Sequence, residues 1–350
     1  MSRTLLIDSQ KIRRWYRDVL SGFLNVGENN LHQNDIEFID TETGEVKNIF
    51  VPVCLPQNMC SDMCIDETMI GEEFFTILSN RTTGKIAFMA NTTRSLELKG
   101  ASQPLKKQLE KVKVINRDLA NSYRKFCNIT MPIAAQVGDK FHVVKLLLDA
   151  QQAVRMKQKR KIDTKKREAH NAFKKEEKKR KEACLLVGEK YKKQRFTYIE
   201  KKLSNSETPS EILRRSRYLL YKFESQWTEK QTARARVLFK EFPELEAAYK
   251  LSCNFRNWYS KKNIGKGNIF LEKKLFQWYE DVEISGITEL MNFSSTVEIN
   301  QEYTLNYFYH NGASNAMAEN RNGKIKKFIN ANQGTRDKDF FFFRLQKYFT

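Results

Sequence analysis

Between Met63 and Gly138 the chain reads as five short apolar runs, in an order that few architectures satisfy. Met63-Cys64-Ile65-Asp66, Glu73-Phe74-Phe75-Thr76-Ile77-Leu78-Ser79 and Lys85-Ile86-Ala87-Phe88-Met89-Ala90 have strand lengths, and Thr82-Thr83-Gly84-Lys85 supplies the turn before the third. An amphipathic helix near Pro104 to Glu110 leads into a fourth run, Lys113-Val114-Ile115-Asn116-Arg117-Asp118. A helix from Ala120 to Cys127 and a fifth run, Ile133-Ala134-Ala135-Gln136-Val137-Gly138, follow. A long helix then opens at Phe141 with the stripe Val143-Val144-Lys145-Leu146-Leu147-Leu148.

Three consecutive strands, then strand, helix, strand, helix, is the layout of a ribonuclease-H-like core. Such an α/β core is a mixed five-stranded sheet with helices, in which the ends of the first and fourth strands lie side by side. The layout is interrupted. From Arg155 to Lys202 there are 20 Lys and Arg against 7 Asp and Glu, a surplus of 13 within the +20 of the whole chain. Apolar residues are sparse there and helically spaced, as in Ala183-Cys184-Leu185-Leu186, which predicts an exposed helix pair. A charge run is usually a solvated face, but so much of the surplus in one seventh of the length favours a surface that tracks phosphates.

Beyond the helix start at Ser204-Asn205-Ser206-Glu207-Thr208-Pro209-Ser210, residues 211–280 are helical, with Phe223, Trp227, Phe239, Tyr249, Phe255, Trp258 and Trp278 as core. The chain returns through an extended piece at Tyr303 to Tyr309. The expected domains are 1–60, an appendage with a helix around Lys11 to Leu24 and a hairpin turning at Thr41-Glu42-Thr43-Gly44; 61–154, the first part of the core; 155–285, a basic all-helical insertion; and 286–350, the rest of the core.

Composition narrows the partners. A basic surplus of this size points to a polyanion, of which DNA or RNA is the commonest. No apolar stretch is long enough to span a bilayer, and Asp8 interrupts any secretory segment, so a cytoplasmic, nucleoid-associated protein is expected. Six cysteines in 350 residues fit a reducing compartment. Cys54, Cys60 and Cys64 cluster without the paired spacing of a zinc ribbon and read as ordinary thiols.

Three acids stand in suggestive places. Asp66 continues the first strand, Asp118 ends the fourth, and Glu319 opens a helix rich in Asn and Lys, within Asn315-Ala316-Met317-Ala318-Glu319-Asn320. Phosphoryl transfer on DNA needs an attacking oxygen activated and a leaving 3′ oxygen stabilised. Two magnesium ions about 3.5–4 Å apart do both, held by carboxylates from different elements. Manganese satisfies the same oxygens. The assignment is Asp66 bridging, with Asp118 and Glu319 each completing one metal. Glu67 is the competing ligand, but period-two alternation puts it on the other face from Asp66, so only one of them joins the site. Asn315, Glu319 and Lys326 fall near one helical face, flanked by Lys324 and Lys327, a face suited to metal and phosphate together.

These stretches, with Asp139-Lys140-Phe141-His142-Val143, Asn-Ala-x-Ala-Glu-x-x-Asn-x-Lys-Ile-Lys at 315–326, Ser216-Arg217-Tyr218-Leu219-Leu220, Trp227-Thr228-Glu229-Lys230-Gln231 and Phe342-Phe343-Arg344-Leu345, resemble the ISL-three family of insertion-sequence transposases, and its Bacteroidetes branch most narrowly. The resemblance covers most of residues 60–350. It implies a D-D-E transposase with triad Asp66, Asp118 and Glu319, the same acids chosen from the residues, and an all-helical insertion before the Glu. It also implies that Asp139 and His142 support the site or contact DNA; a helix-capping Asp with a satisfied His is the other reading of that pair.

Relatives begin with a zinc-binding segment and a helix-turn-helix that reads the element's ends. The N-terminal residues here show neither, so a separate DNA-reading protein is an expected partner, beside a homo-oligomer and both element-end and target DNA. Asn116-Arg117 ahead of Asp118 also departs from the family pattern. The implied reaction is cleavage at the element ends, then attack of the freed 3′ hydroxyl on target DNA. An inactive or repurposed DNA-binding copy and a ribonuclease-H-like nuclease are the alternative readings.

Overall fold

The computed structural model describes residues 8–24, 36–39, 44, 46–312, 316–332 and 337–349, with the backbone alone for residues 38, 47 and 316–319. The chain forms two compact units, Met1–Val143 with Asn300–Thr350, and Val144–Ile299.

In the first unit, β1 (Ile36–Ile39) and β2 (Val46–Ile49) form an antiparallel pair. Of the turn expected at 41–44, residues 41–43 lie outside the described residues. The main sheet comprises β3 (Val53–Cys54), β4 (Asp62–Ile70), β5 (Glu73–Asn80), β6 (Ile86–Ala90), β7 (Val114–Arg117) and β8 (Ala135–Gly138), ordered β3-β6-β5-β4-β7-β8. β3 to β4 pair antiparallel through β6 and β5, whereas β4, β7 and β8 run parallel. This is a mixed ribonuclease-H-like sheet, with six strands where five were expected. The extra strand is a two-residue pairing, Val53 and Cys54 against Met89 and Phe88, too short for alternation to reveal it.

β4 also runs four residues past Asp66, to Ile70, where Gly71 at φ 64° turns the chain into β5. Glycine adopts that left-handed backbone without a Cβ penalty. Beyond Cys64 the strand keeps only β5 as a partner, because its pairing with β7 ends at Asn116. The sheet therefore opens beside Asp66.

Alternation divides the core. On one face Met63, Ile65, Leu78, Phe88 and Ile115 pack with residues from α2 (Ser95–Ala101), α3 (Lys106–Leu109) and α4 (Asn121–Thr130), which follow α1 (Ser9–Trp15) in the chain. α5 (Lys140–Val187) leaves this unit as one continuous helix.

In the second unit α5 is tied down early: Gln151 Nε2 donates to Leu220 O at 3.2 Å, and Arg155 Nη1 to Leu213 O at 2.9 Å, on α6 (Pro209–Arg215). α7 (Glu229–Glu241), α8 (Pro243–Trp258), α9 (Asn268–Ser285) and α10 (Thr288–Ile299) surround an aromatic core. Phe255 lies 4.8 Å from Trp278 and 5.2 Å from Phe293 by ring centroids. The indoles of Trp258 and Trp278 donate to Leu271 O at 3.0 Å and Leu251 O at 2.9 Å, so their burial strands no donor. From Lys159 to Ser206, by contrast, no residue is buried. That stretch is a single helix to Val187 followed by a return without regular secondary structure, not the expected helix pair.

The chain re-enters the first unit through α11 (Gln301–Tyr309), α12 (Ala316–Ala331) and α13 (Lys338–Phe349). The extended piece expected at Tyr303 to Tyr309 is helix. Its buried residues, Thr304, Leu305, Tyr307 and Phe308, follow a helical spacing that the alternating aromatics disguise. Ile325 of α12 and Phe342, Leu345 and Phe349 of α13 cover the second sheet face, against Val53, Phe75, Ile77, Ile86 and Met89. Among the described residues no helix is long and apolar enough to cross a membrane.

Candidate active site

β4 and β7 pair in parallel with Cys64 opposite Asn116. Asp66 lies two residues beyond Cys64 on β4 and Asp118 is the first residue after β7, so both stand where the two strands part. Asp66 stands opposite Ile77 of β5, on the face that Ile325 of α12 covers. Both acids are half-buried.

Asp66 is held at both oxygens. Its Oδ1 accepts from Glu67 N at 2.9 Å and its Oδ2 from Asn322 Nδ2 at 2.6 Å. Burial raises its pKa, opposed by the Glu67 N–H and by the charges of Arg321 and His142. Asp118 Oδ1 accepts from Ala120 N at 2.7 Å, which turns the chain from β7 toward α4. Glu67 lies on the Ile65 face, where Tyr123 Oη donates to its Oε2 at 3.4 Å. Its pKa is raised by burial and then by the charges of Asp118 and Asp66.

Glu319 belongs to the first turn of α12, with its side chain outside the described residues, as is all of Asn315. Its backbone place is still informative: Asn322, which reaches Asp66, lies three residues further along, so the two are neighbours on one helix face. Among the described residues no three His, Cys, Asp or Glu side chains form a ligand cluster. The oxygens of Asp66 and Asp118, hard donors at a half-buried sheet end, suit a hard divalent cation such as magnesium.

Asp139 directly follows β8, is 1% exposed, and its Oδ2 lies 2.6 Å from His142 Nδ1. Its Oδ1 also accepts from Phe141 N at 3.4 Å, at the start of α5. The hydrogen bond to Asp139 raises the His142 pKa against burial, with Asp139, Asp118 and Asp66 adding attraction. The pair thus caps a helix and also faces the field of both strand-end acids. Lys324, Lys326 and Lys327 are exposed on α12, and none forms an ion pair among the described residues.

Three further residues shape the site, and sequence reasoning passed over their roles. Arg117 is fully buried: Nε donates to Gln136 Oε1 at 2.6 Å, Nη1 to Asp118 O at 2.7 Å, and the guanidinium lies 4.2 Å from the Tyr303 ring centroid. It anchors the backbone carbonyl of Asp118, which accounts for the residue that departs from the family pattern. Arg321 is 3% exposed, its pKa lowered to about 10 by burial while Asp66 and Cys64 attract it. Asn322 bridges the two, accepting from Arg321 Nη2 at 3.3 Å on Oδ1. The polar run of α12 gave the only signal. Cys54, Cys60 and Cys64 are free thiols; Cys64 is buried, its thiol pushed up to about 12.

Within the sheet, the order β6-β5-β4-β7-β8 and the acids where β4 and β7 part define a protein of the ribonuclease-H-like class. A family model for DDE transposases of the ISL-three type, described as "Transposase", matches residues 63–345, and the chain belongs to that family. No curated protein and no solved structure matches the chain.

Proposed function

We propose that the chain is a D-D-E transposase that cleaves DNA at the ends of an insertion sequence and joins them to target DNA. Asp66, Asp118 and Glu319 would hold two magnesium ions, or manganese. Bound there, the metals would activate the attacking oxygen and stabilise the leaving one. The observation that carries this reading is the 2.6 Å hydrogen bond from Asn322 to Asp66. It docks the helix bearing Glu319 against the strand bearing Asp66, beside the strand that Asp118 follows.

The residues prepare the site before any metal arrives. Asn322 and the Glu67 N–H fix the Asp66 carboxylate from two sides, and Arg117 with the Ala120 N–H fixes the turn that presents Asp118. Such pre-organisation spares the reorganisation that a loose site would need. A separate protein that reads the element ends, and an oligomeric complex that pairs them, would complete the reaction.

The test is magnesium-dependent cleavage and strand transfer on the element's own ends, recovered from DNA flanking the coding region, with Glu319→Gln as control. Joined products that vanish in the variant while DNA binding persists are the expected result. Cleavage without joining would indicate a nuclease, and undiminished product from the variant would remove Glu319 from the site.

A further inference from the structure

The stretch from Lys159 to Ser206 has no buried residue, so apolar packing does not explain its order. Its helix, to Val187, carries 12 Lys and Arg against 5 Asp and Glu, and the return, residues 188–203, carries 6 against 2. Like charges this dense repel one another and weaken a helix that has no core to rest on. A polyanion would relieve that repulsion.

The return is fastened to the helix at two points. Phe196 stacks on His170 with ring centroids 4.7 Å apart and lies 5.4 Å from Phe173. Glu177 accepts from Gln194 N at 2.9 Å and also from the Tyr191 hydroxyl and Arg180. These contacts consume the one acid in the groove between helix and return, about 440 Å³, whose wall otherwise presents Lys174, Lys178, Lys181, Lys193 and Arg195. Of these five, only Lys178 has a carboxylate within salt-bridge distance among the described residues, Glu182 at 3.9 Å. On the helix, Arg160, Arg167, Lys174, Lys178 and Lys181 recur at spacings of seven, seven, four and three, which places them on one side. The groove therefore continues as a basic stripe along about 30 Å of helix at 1.5 Å per residue.

We propose that this groove and stripe seat a DNA sugar–phosphate backbone, which deepens the transposase reading by naming the surface that holds the substrate. Lys174, Lys178, Lys181, Lys193 and Arg195 would meet successive phosphates, with Arg167 and Arg160 extending the track. Contacts of this kind carry no base readout, so binding should be indifferent to sequence and steeply salt-dependent.

The test uses the full chain and a labelled duplex of unrelated sequence, with affinity measured by anisotropy between about 50 and 200 mM salt. The variant changes Lys174, Lys178, Lys181, Lys193 and Arg195 to Gln. The control changes the exposed Lys99, Lys106, Lys107, Lys111 and Lys113 to Gln, which removes the same charge from the first unit. Each lost phosphate contact should flatten the log–log slope by about 0.9, so the groove variant should lose about 4.5 and the control less than about 1. A matching single strand, with its smaller slope of about 0.7 per contact, tells the duplex from an unpaired strand as ligand. Equal losses in both variants would reduce the effect to net charge and overturn the proposal; so would an unchanged slope in the groove variant, which would leave the groove to an acidic protein. Asp66→Asn should keep the wild-type slope, so failure of the catalytic reading and failure of the groove are read separately.

Discussion

The charged groups where β4 and β7 part and those along the helix after Lys159 are held in opposite ways. At the sheet end each charge is half or wholly buried and tied to a particular atom: Asp66 to Asn322, Asp118 to Ala120, Arg117 to Gln136 and to the Asp118 carbonyl, Asp139 to His142. Along the basic helix most of the charges are exposed, and Lys165, Lys166, Arg167, Lys174, Lys175 and Lys179 have no carboxylate within salt-bridge distance among the described residues. Fixed groups suit a step that needs atoms placed to a fraction of an ångström. A field of mobile groups suits a ligand recognised by charge alone.

That contrast breaks most readily at Arg117. Arg117→Ala leaves a cavity and an unpaired Gln136 Oε1, and is expected to cost about 3–5 kcal/mol in denaturant unfolding. A loss under about 1 kcal/mol would mean the buried cation is not part of the support, since replacing a buried charge can be neutral when nothing depends on it. Next in size is Asn322→Ala, which frees the Asp66 carboxylate. Single-turnover cleavage should fall by about 10- to 100-fold, the scale expected of a misplacement near 1 Å. Lys175→Gln on the basic helix should change DNA affinity by less than about twofold, because no single phosphate contact dominates. If the lysine change were the larger of the two, the distinction between fixed and interchangeable charges would fail.

A smaller effect concerns His142. Asp139 raises its pKa above the ordinary histidine value of about 6.5, so its stabilisation is complete below that value and lost as pH rises through the raised one. Stability measured against pH without metal should decline across that window, and Asp139→Asn should flatten the decline; NMR titration of the imidazole would locate the midpoint. The smallest effect is at Glu177. Glu177→Ala should release the return segment, seen as faster protease nicking within residues 188–203 with little change in global melting. Unchanged nicking would show that Phe196 alone fastens it.

Much of the sheet was legible because strands buried on both faces announce themselves as apolar runs, and the order of those runs specifies which strands must run parallel. The positions of Asp66 within a strand and Asp118 just past one were legible for the same reason, each breaking such a run. The overrun of β4 to Ile70 was not, because Asp66, Glu67 and Thr68 put three polar residues in a row, which neither alternates nor continues the apolar run, in a stretch with one neighbouring strand and one open side. The helix at Gln301–Tyr309 was hidden by aromatics that satisfy both periods. It covers β8, where Asn306 Nδ2 donates to Gln136 O at 2.9 Å. Arg117, Arg321 and Asn322 were the least visible. Asn322 reaches Asp66 across 256 residues and Arg117 packs on the distant Tyr303, and no local pattern announces a tertiary contact. The return along the basic helix was missed because a charged stretch without regular structure has no period to detect.

The central claim, that Asp66 and Asp118 ligate the catalytic metal and Glu67 does not, is tested most directly by exchanging each for cysteine and comparing cleavage in magnesium with cleavage in manganese. Magnesium rejects sulfur and manganese tolerates it better. Asp66→Cys and Asp118→Cys should be inactive in magnesium and partly restored by manganese, while Glu67→Cys works in both. Two folded Asp variants that stay inactive in both metals, or a manganese rescue that appears at Glu67→Cys instead, would contradict the assignment.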